Sequence, residues 1–361
     1  MRRRPERHEW THLPARCQPL DQRRIERATS QWHRPDPAAV SSRKRKIDAP
    51  DRVPVGMSRR LRFVPSGYLV EVTCRTVQGN HLLHPSPALT ETTIGVLARA
   101  ARLYPVAVHG FAFLANHLHL LLTVESAQRL ASFMNYLNSN LAREASLLAG
   151  WCDRFWARRY QAIVVTAETS AQVARLRYLL ANGTKEGLVS SPLDWPGAHC
   201  ARALVEGRPL RGIWRNRTRE YRLRRRAAAV DPSEFLEEEI LHLEPLPCWC
   251  DCSPAEYRAR IRRLIREIER TARTENAALG RSPLGGSALL ARAPFRGIHR
   301  LEKRPAPLVH AATRAARHAF LRAYSLFLEA FRTAAIRLRA GALDVVFPDG
   351  SFPPPLPFRA G

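Results

Sequence analysis

The chain has 361 residues, room for one or two domains with real cores, and its 58 Lys and Arg against 32 Asp and Glu leave a formal net charge of +26. That excess favours a polyanionic partner, nucleic acid first. Seven scattered cysteines exclude the even framework of a secreted disulfide scaffold, and neither an 18-residue apolar run nor an apolar segment after the basic N-terminus is present, so the expectation is a cytoplasmic, nucleoid-associated protein with no membrane partner.

Residues 1–57 are Arg-, Pro-, Gln-, His- and Ser-rich, with the basic run Arg43-Lys44-Arg45-Lys46. They lack the apolar pattern needed to offset ordering entropy and are predicted to be a disordered tail or an overextended start. From Tyr68 to Thr76 residues alternate as a first strand. Leu89, Thr93, Val96, Leu97, Ala100 and Leu103 then recur at helical spacing until Pro105 stops the helix. Val106 to Leu114 reads as a second strand. Ala115 and Asn116 are too short a link for a crossover, so the next strand must return antiparallel. A helix over Ala127–Ala149, closed by Gly150, and a β-branched run ending at Val165 complete the order strand, helix, strand, strand, helix, strand. This is the ferredoxin-like order: an α+β fold with an antiparallel sheet.

Residues 206–361 read as an α-helical C-terminal extension, a basic accessory region with no specific chemistry. It holds the dense run Arg211–Arg226, an acidic answer at Glu234–Glu239, an amphipathic stripe of Ile261, Leu264, Ile265 and Ile268, a helical stretch over Pro305–Ala340 and a proline-rich tail. Cys248, Cys250 and Cys252 would share one face of a strand, without a second Cys or His pair at structural-zinc spacing.

The chemistry concentrates in the third strand. With a period of two, His117 and His119 point the same way as Leu121 and Thr123, while Leu118, Leu120, Leu122 and Val124 take the other face. Two imidazoles so placed can converge on one ion, and equally fit two satisfied histidines on a half-buried strand. In the helix predicted over Ser170–Asn182, Tyr178 and Asn182 lie one turn apart on a face that Arg175 shares, so a phenolic and an amide oxygen can reach one ion and phosphate. Between these elements, Arg154, Trp156, Arg158 and Arg159 mix cations with an aromatic ring, a combination suited to gripping phosphates and stacking bases of single-stranded DNA.

Asn116-His117-Leu118-His119-Leu120-Leu121 resembles the HUH signature of the single-tyrosine transposases, specifically the REP-associated tyrosine transposases. Tyr178, Asn182 and the turn Gly187-Leu188-Val189 resemble the family's Tyr-Ile-x-x-Asn-Pro-x-x-x-Gly-Leu-Val block, and Asp194-Trp195-Pro196 falls where the family has the same three residues. Gly183 departs from the family's proline. The resemblance spans residues 58–205, and Met57 sits where such chains usually start. It implies the HUH fold, a divalent metal (Mg²⁺ or Mn²⁺) on His117, His119 and Asn182, and Tyr178 as the nucleophile. Nicking and rejoining of DNA would pass through a 5′-phosphotyrosine, the partner would be a single-stranded hairpin like a repetitive extragenic palindrome, and the protein would be a monomer or homodimer. Two alternatives stay open: a non-cleaving hairpin-binding regulator, and a metal-dependent nuclease in which water attacks.

Overall fold

The computed structural model describes residues 60–226, 231–297 and 307–354, and the chain divides between Arg62 and Phe63 into two units, of which the second carries the elements below. The tail expected to be disordered, residues 1–57, lies outside the described residues.

Strand β1 (Leu69–Arg75), helix α1 (Pro87–Leu103), strands β2 (Ala107–Leu114) and β3 (His117–Thr123), helix α2 (Ala127–Ala149) and strand β4 (Gln161–Val165) follow the expected order. Local chemistry sets their ends. The Ser86 hydroxyl accepts from Leu89 N and Pro87 fills the first turn of α1, Ser126 caps α2 by accepting from Arg129 N, and Gly150 ends α2 at φ +58°. All four strands pair antiparallel in the order β2-β3-β1-β4, the ferredoxin-like arrangement. Leu118, Leu120 and Leu122 of β3 are fully buried and share one core with Val70, Val72, Leu97, Leu130, Phe133 and Leu137. Burial of that continuous apolar set is the main stabilising term for the sheet and its helices.

The chain after residue 205 is not a separate helical appendage. It begins with helix α4 (Ala201–Glu206) and strands β5 (Leu210–Arg215) and β6 (Leu236–Leu241), which flank helix α5 (Arg217–Arg224) and pair as a hairpin against α1. Backbones meet there: a Cβ on Gly212 would stand 2.2 Å from Gly95 N, so only glycine permits the approach. Leu241, Leu243, Leu246, Trp249 and the Ile261, Leu264, Ile265 and Ile268 stripe of helix α6 (Pro254–Ala278) belong to the same core as the first sheet. The boundary read at 205/206 therefore cuts through one hydrophobic core.

The arginine-rich run is largely answered in place. Arg211 pairs with Glu238 across the hairpin, Arg215 with Glu220 at 2.6 Å, and Arg217 with Glu144 at 2.5 Å. The three clustered cysteines are not on a strand. Pro247–Trp249 is a 3-10 turn, and Ser253 caps α6 immediately after Cys252. A short helix, α7 (Gly286–Ala291), precedes the final elements.

Two of these matter for the site. Strand β7 (Val309–His310) adds to β4 in parallel, making the sheet mixed and five-stranded, and helix α8 (Arg314–Arg339) follows at once, capped by Thr313. Phe63 stacks on Phe327 of α8 at 4.5 Å between ring centroids, with Phe320 at 5.7 Å.

Candidate active site

The two β3 histidines face the side of the sheet over which helix α3 (Thr169–Leu180) packs, their rings 5.1 Å apart. Each has its Nδ1 engaged. That of His117 lies 2.6 Å from Asn116 Oδ1, and Asn116 itself is oriented by donating to Gly79 O; that of His119 lies 3.2 Å from Glu71 Oε1. An amide or carboxylate oxygen can only accept, so each Nδ1 carries a proton, and in the neutral form of either ring the lone pair lies on Nε2. Burial, reinforced by His119, Arg75 and Lys185, pushes the His117 pKa down to about 2. It stays neutral, the form that ligates a metal.

Tyr178 joins the pair from α3. Its ring lies 5.6 Å from that of His119, yet the residue is 37% exposed, unlike a core tyrosine. Two cations lie over the ring, the Arg175 guanidinium at 4.4 Å and the Lys185 ammonium at 3.9 Å from its centroid. Arg175 is therefore not a free phosphate grip: its Nη1 also donates to Glu71 Oε2 at 3.3 Å.

Asn182 also has a local role at the end of the helix. It is buried, and its amide nitrogen donates to the carbonyls of Tyr178 and Leu179 at 3.2 and 3.1 Å, closing the end of α3. Next to it Gly183 takes φ +92°, a conformation proline cannot adopt, with a Cβ position only 2.9 Å from the Trp195 ring. The glycine thus replaces one helix stop by another. Trp195, from the Asp194-Trp195-Pro196 block, donates its indole N–H to Phe113 O at 3.0 Å and seats that turn on β2.

In the arginine–aromatic segment, Trp156 is partly buried against Phe155 and donates its N–H to Asn138 O at 2.9 Å, so it is a packing residue. Arg154, Arg158 and Arg159 are exposed beside it.

Three site residues, Glu71, His310 and Lys185, escaped the sequence reading. Glu71 is 3% exposed, and its oxygens receive His119 on one side and both Arg175 and His310 Nε2, the latter at 2.9 Å, on the other. Burial alone would raise its pKa. The hydrogen bonds from His119 and His310 and the charge of Arg175 outweigh that and hold it well below the usual carboxylate range. A signal for Glu71 existed, since in Leu-Val-Glu-Val-Thr-Cys-Arg it shares a face with Thr73 and Arg75, which oppose His119 and His117. Lys185 had none beyond its place in the turn after α3.

Among the described residues no group of three or more His, Cys, Asp or Glu side chains is disposed to hold a metal. The donor set is two imidazoles with anchored Nδ1–H groups, whose Nε2 atoms in the neutral rings would be open to a divalent ion with its remaining ligands from water or substrate. No helix among the described residues is long and apolar enough to cross a membrane.

No protein-family model matches the chain, and no curated protein matches it significantly. Among solved structures, a REP-associated tyrosine transposase bound to a REP hairpin is 16% identical, covering 41% of this chain and 85% of its own at a TM-score of 0.33. A Deinococcus radiodurans R1 protein described as a candidate transposase is also 16% identical, covering 33% of this chain and 95% of its own at a TM-score of 0.25.

Proposed function

We propose that the protein is a metal-dependent, single-strand DNA nicking and rejoining enzyme of the single-tyrosine transposase type, with Tyr178 as nucleophile. The observation that carries this reading is an exposed tyrosine whose ring lies 5.6 Å from one of two paired histidines. Phosphodiester cleavage needs a nucleophile in line with the leaving oxygen and positive charge at the nonbridging oxygens. A divalent ion, Mg²⁺ or Mn²⁺, on His117 and His119 supplies that charge when bound.

The chain's own groups do the rest. The Tyr178 oxygen forms a bond to phosphorus as the bond to O3′ breaks; the phenolic proton is given up and the departing O3′ takes one, leaving a 5′-phosphotyrosine and a free 3′-OH. Because the bond energy is kept in the phosphotyrosine, a 3′-OH can attack it in turn and reseal the strand without a nucleotide cofactor. Lys185 and Arg175 place positive charge beside the ring, and the exposed Arg154, Arg158 and Arg159 suit the backbone of a single-stranded DNA hairpin, here a repetitive-palindrome-like one. Asn182 acts by holding the end of the helix that presents Tyr178.

The test is Tyr178→Phe, which preserves ring volume and removes the attacking oxygen. With hairpin oligonucleotides and Mn²⁺, the variant binds and does not cut. Cleavage at the wild-type rate would transfer the reading to a nuclease in which water attacks.

A further inference from the structure

Glu71 and His310 are 239 positions apart in sequence and meet at the back of the histidine pair. On β1, Glu71 sits diagonally from His119, two positions along the β1–β3 register from Thr73, which His119 directly opposes, with its carboxylate against the Nδ1 edge of the imidazole. Its other oxygen is held at 2.9 Å by His310 Nε2 and at 3.3 Å by Arg175 Nη1. Arg175 Nη1 also lies 3.4 Å from Nε2 and 3.5 Å from Nδ1 of the His310 ring.

His310 is itself fixed by backbone. Val164 and Val165 pair with Val309 and His310, Thr166 N donates to His310 O at 2.9 Å, and Ala312 N donates to Glu168 Oε2 at 2.9 Å before Thr313 caps α8. A two-residue strand with such anchoring on both sides delivers one side chain to a defined point, and that point is Glu71.

We propose that Glu71 is the positioning residue of His119, and that strand β7 completes the site by locking Glu71 through His310. This rests on the reading of His119 as a metal ligand. Glu71 fixes the His119 tautomer, so that Nε2 is bare and aimed away from the sheet, and His310 and Arg175 keep the carboxylate from rotating off that bond. The C-terminal region therefore supplies part of the active centre rather than affinity alone.

The experiment uses the full chain labelled with ¹⁵N-histidine, the His119 signals being identified by their loss in His119→Ala. In the wild type, His119 shows a proton on Nδ1 and a bare Nε2, without metal or DNA. In His310→Ala, at the half-buried rim and not expected to disturb folding, the Nε2–H form appears alongside it, and Mn²⁺ affinity falls about 10-fold; in Glu71→Gln the fall approaches about 100-fold, the range for losing an outer-shell partner of a ligating histidine. His310→Gln, which keeps an N–H donor, recovers most of the affinity. An unchanged tautomer and unchanged Mn²⁺ affinity in a folded His310→Ala protein overturn the proposal. The tautomer readout needs no DNA, so a wild-type protein that forms no DNA adduct would count against the nicking reading and leave this one to be decided on its own signals.

Discussion

Glu239 and Glu71 are both nearly buried and both gather cations, yet they do different things. Glu239, on β6, is 6% exposed and binds Arg99 and Arg102 of α1, each at 2.7 Å; Glu71, on β1, is 3% exposed and binds His119, Arg175 and His310. In both, burial would raise the carboxyl pKa and the partners bring it down. What separates them is the next neighbour. The partners of Glu239 end in a hairpin–helix contact, while His119 leads on to a second imidazole and an exposed tyrosine. A buried charge cluster is thus no mark of a site until one of its members has a free reactive atom.

The widest separation comes from removing one member of each cluster. His119→Ala should lower Mn²⁺ affinity and DNA cleavage by at least about 100-fold, since half of the imidazole donor set is gone. Glu239→Ala should leave both unchanged and cost about 2 kcal/mol in urea unfolding, between the values for exposed and fully buried pairs because Arg102 is largely exposed. A Glu239 variant that loses cleavage while keeping its fold would erase the distinction.

The Glu71 cluster was half legible in the sequence. The strand carrying His117 and His119, the helix carrying Tyr178 and the ferredoxin-like order all follow from period-two and period-3.6 patterns over residues 68–182, with helix ends marked by Ser86, Ser126 and Gly150. Glu71 could have been found by laying β1 beside β3, as that topology demands, and asking which charged residue shares the histidine face. His310 could not: a two-residue strand carries no periodicity, and its pairing with β4 is set by tertiary contacts. The same limit hid the β5–β6 hairpin, where an arginine-rich run and an acidic run read as opposing charges and not as cross-strand partners. For Asn182, helical spacing gives the face of the side chain but not that its amide N–H closes the helix end.

A sharper comparison within the site concerns the stop after α3. Gly183→Ala should cost about 1–3 kcal/mol, combining a strained positive φ with a Cβ 2.9 Å from Trp195. Gly183→Pro should cost more, although proline is what the resembling transposases carry there, because a fixed φ near −65° cannot follow this backbone. Thermal unfolding of the two variants decides it. Equal or higher stability for the proline variant would mean that the helix stop is interchangeable.

A pH dependence of stability belongs to neither glutamate. His109 and His199 are buried, and desolvation lowers each to about 4. As pH falls from about 6.5, the unfolded chain takes up protons that the folded one refuses until about pH 4. Stability should therefore be flat above pH 6.5 and decline below it, by up to about 1.4 kcal/mol per pH unit for each histidine. Urea midpoints at pH 7.5, 6 and 5 read this directly, and midpoints that do not change would place both rings in wetter surroundings.

The central claim, that Tyr178 attacks DNA beside the histidine pair, is tested most directly by mapping the bond it forms. Wild-type protein incubated with a single-stranded hairpin substrate and Mn²⁺ should yield a denaturation-resistant adduct, and peptide mass spectrometry should place the nucleotide on Tyr178, with no adduct in His119→Ala. A nucleotide found on Tyr160 or any other residue, or cleavage that leaves no adduct at all, would contradict it.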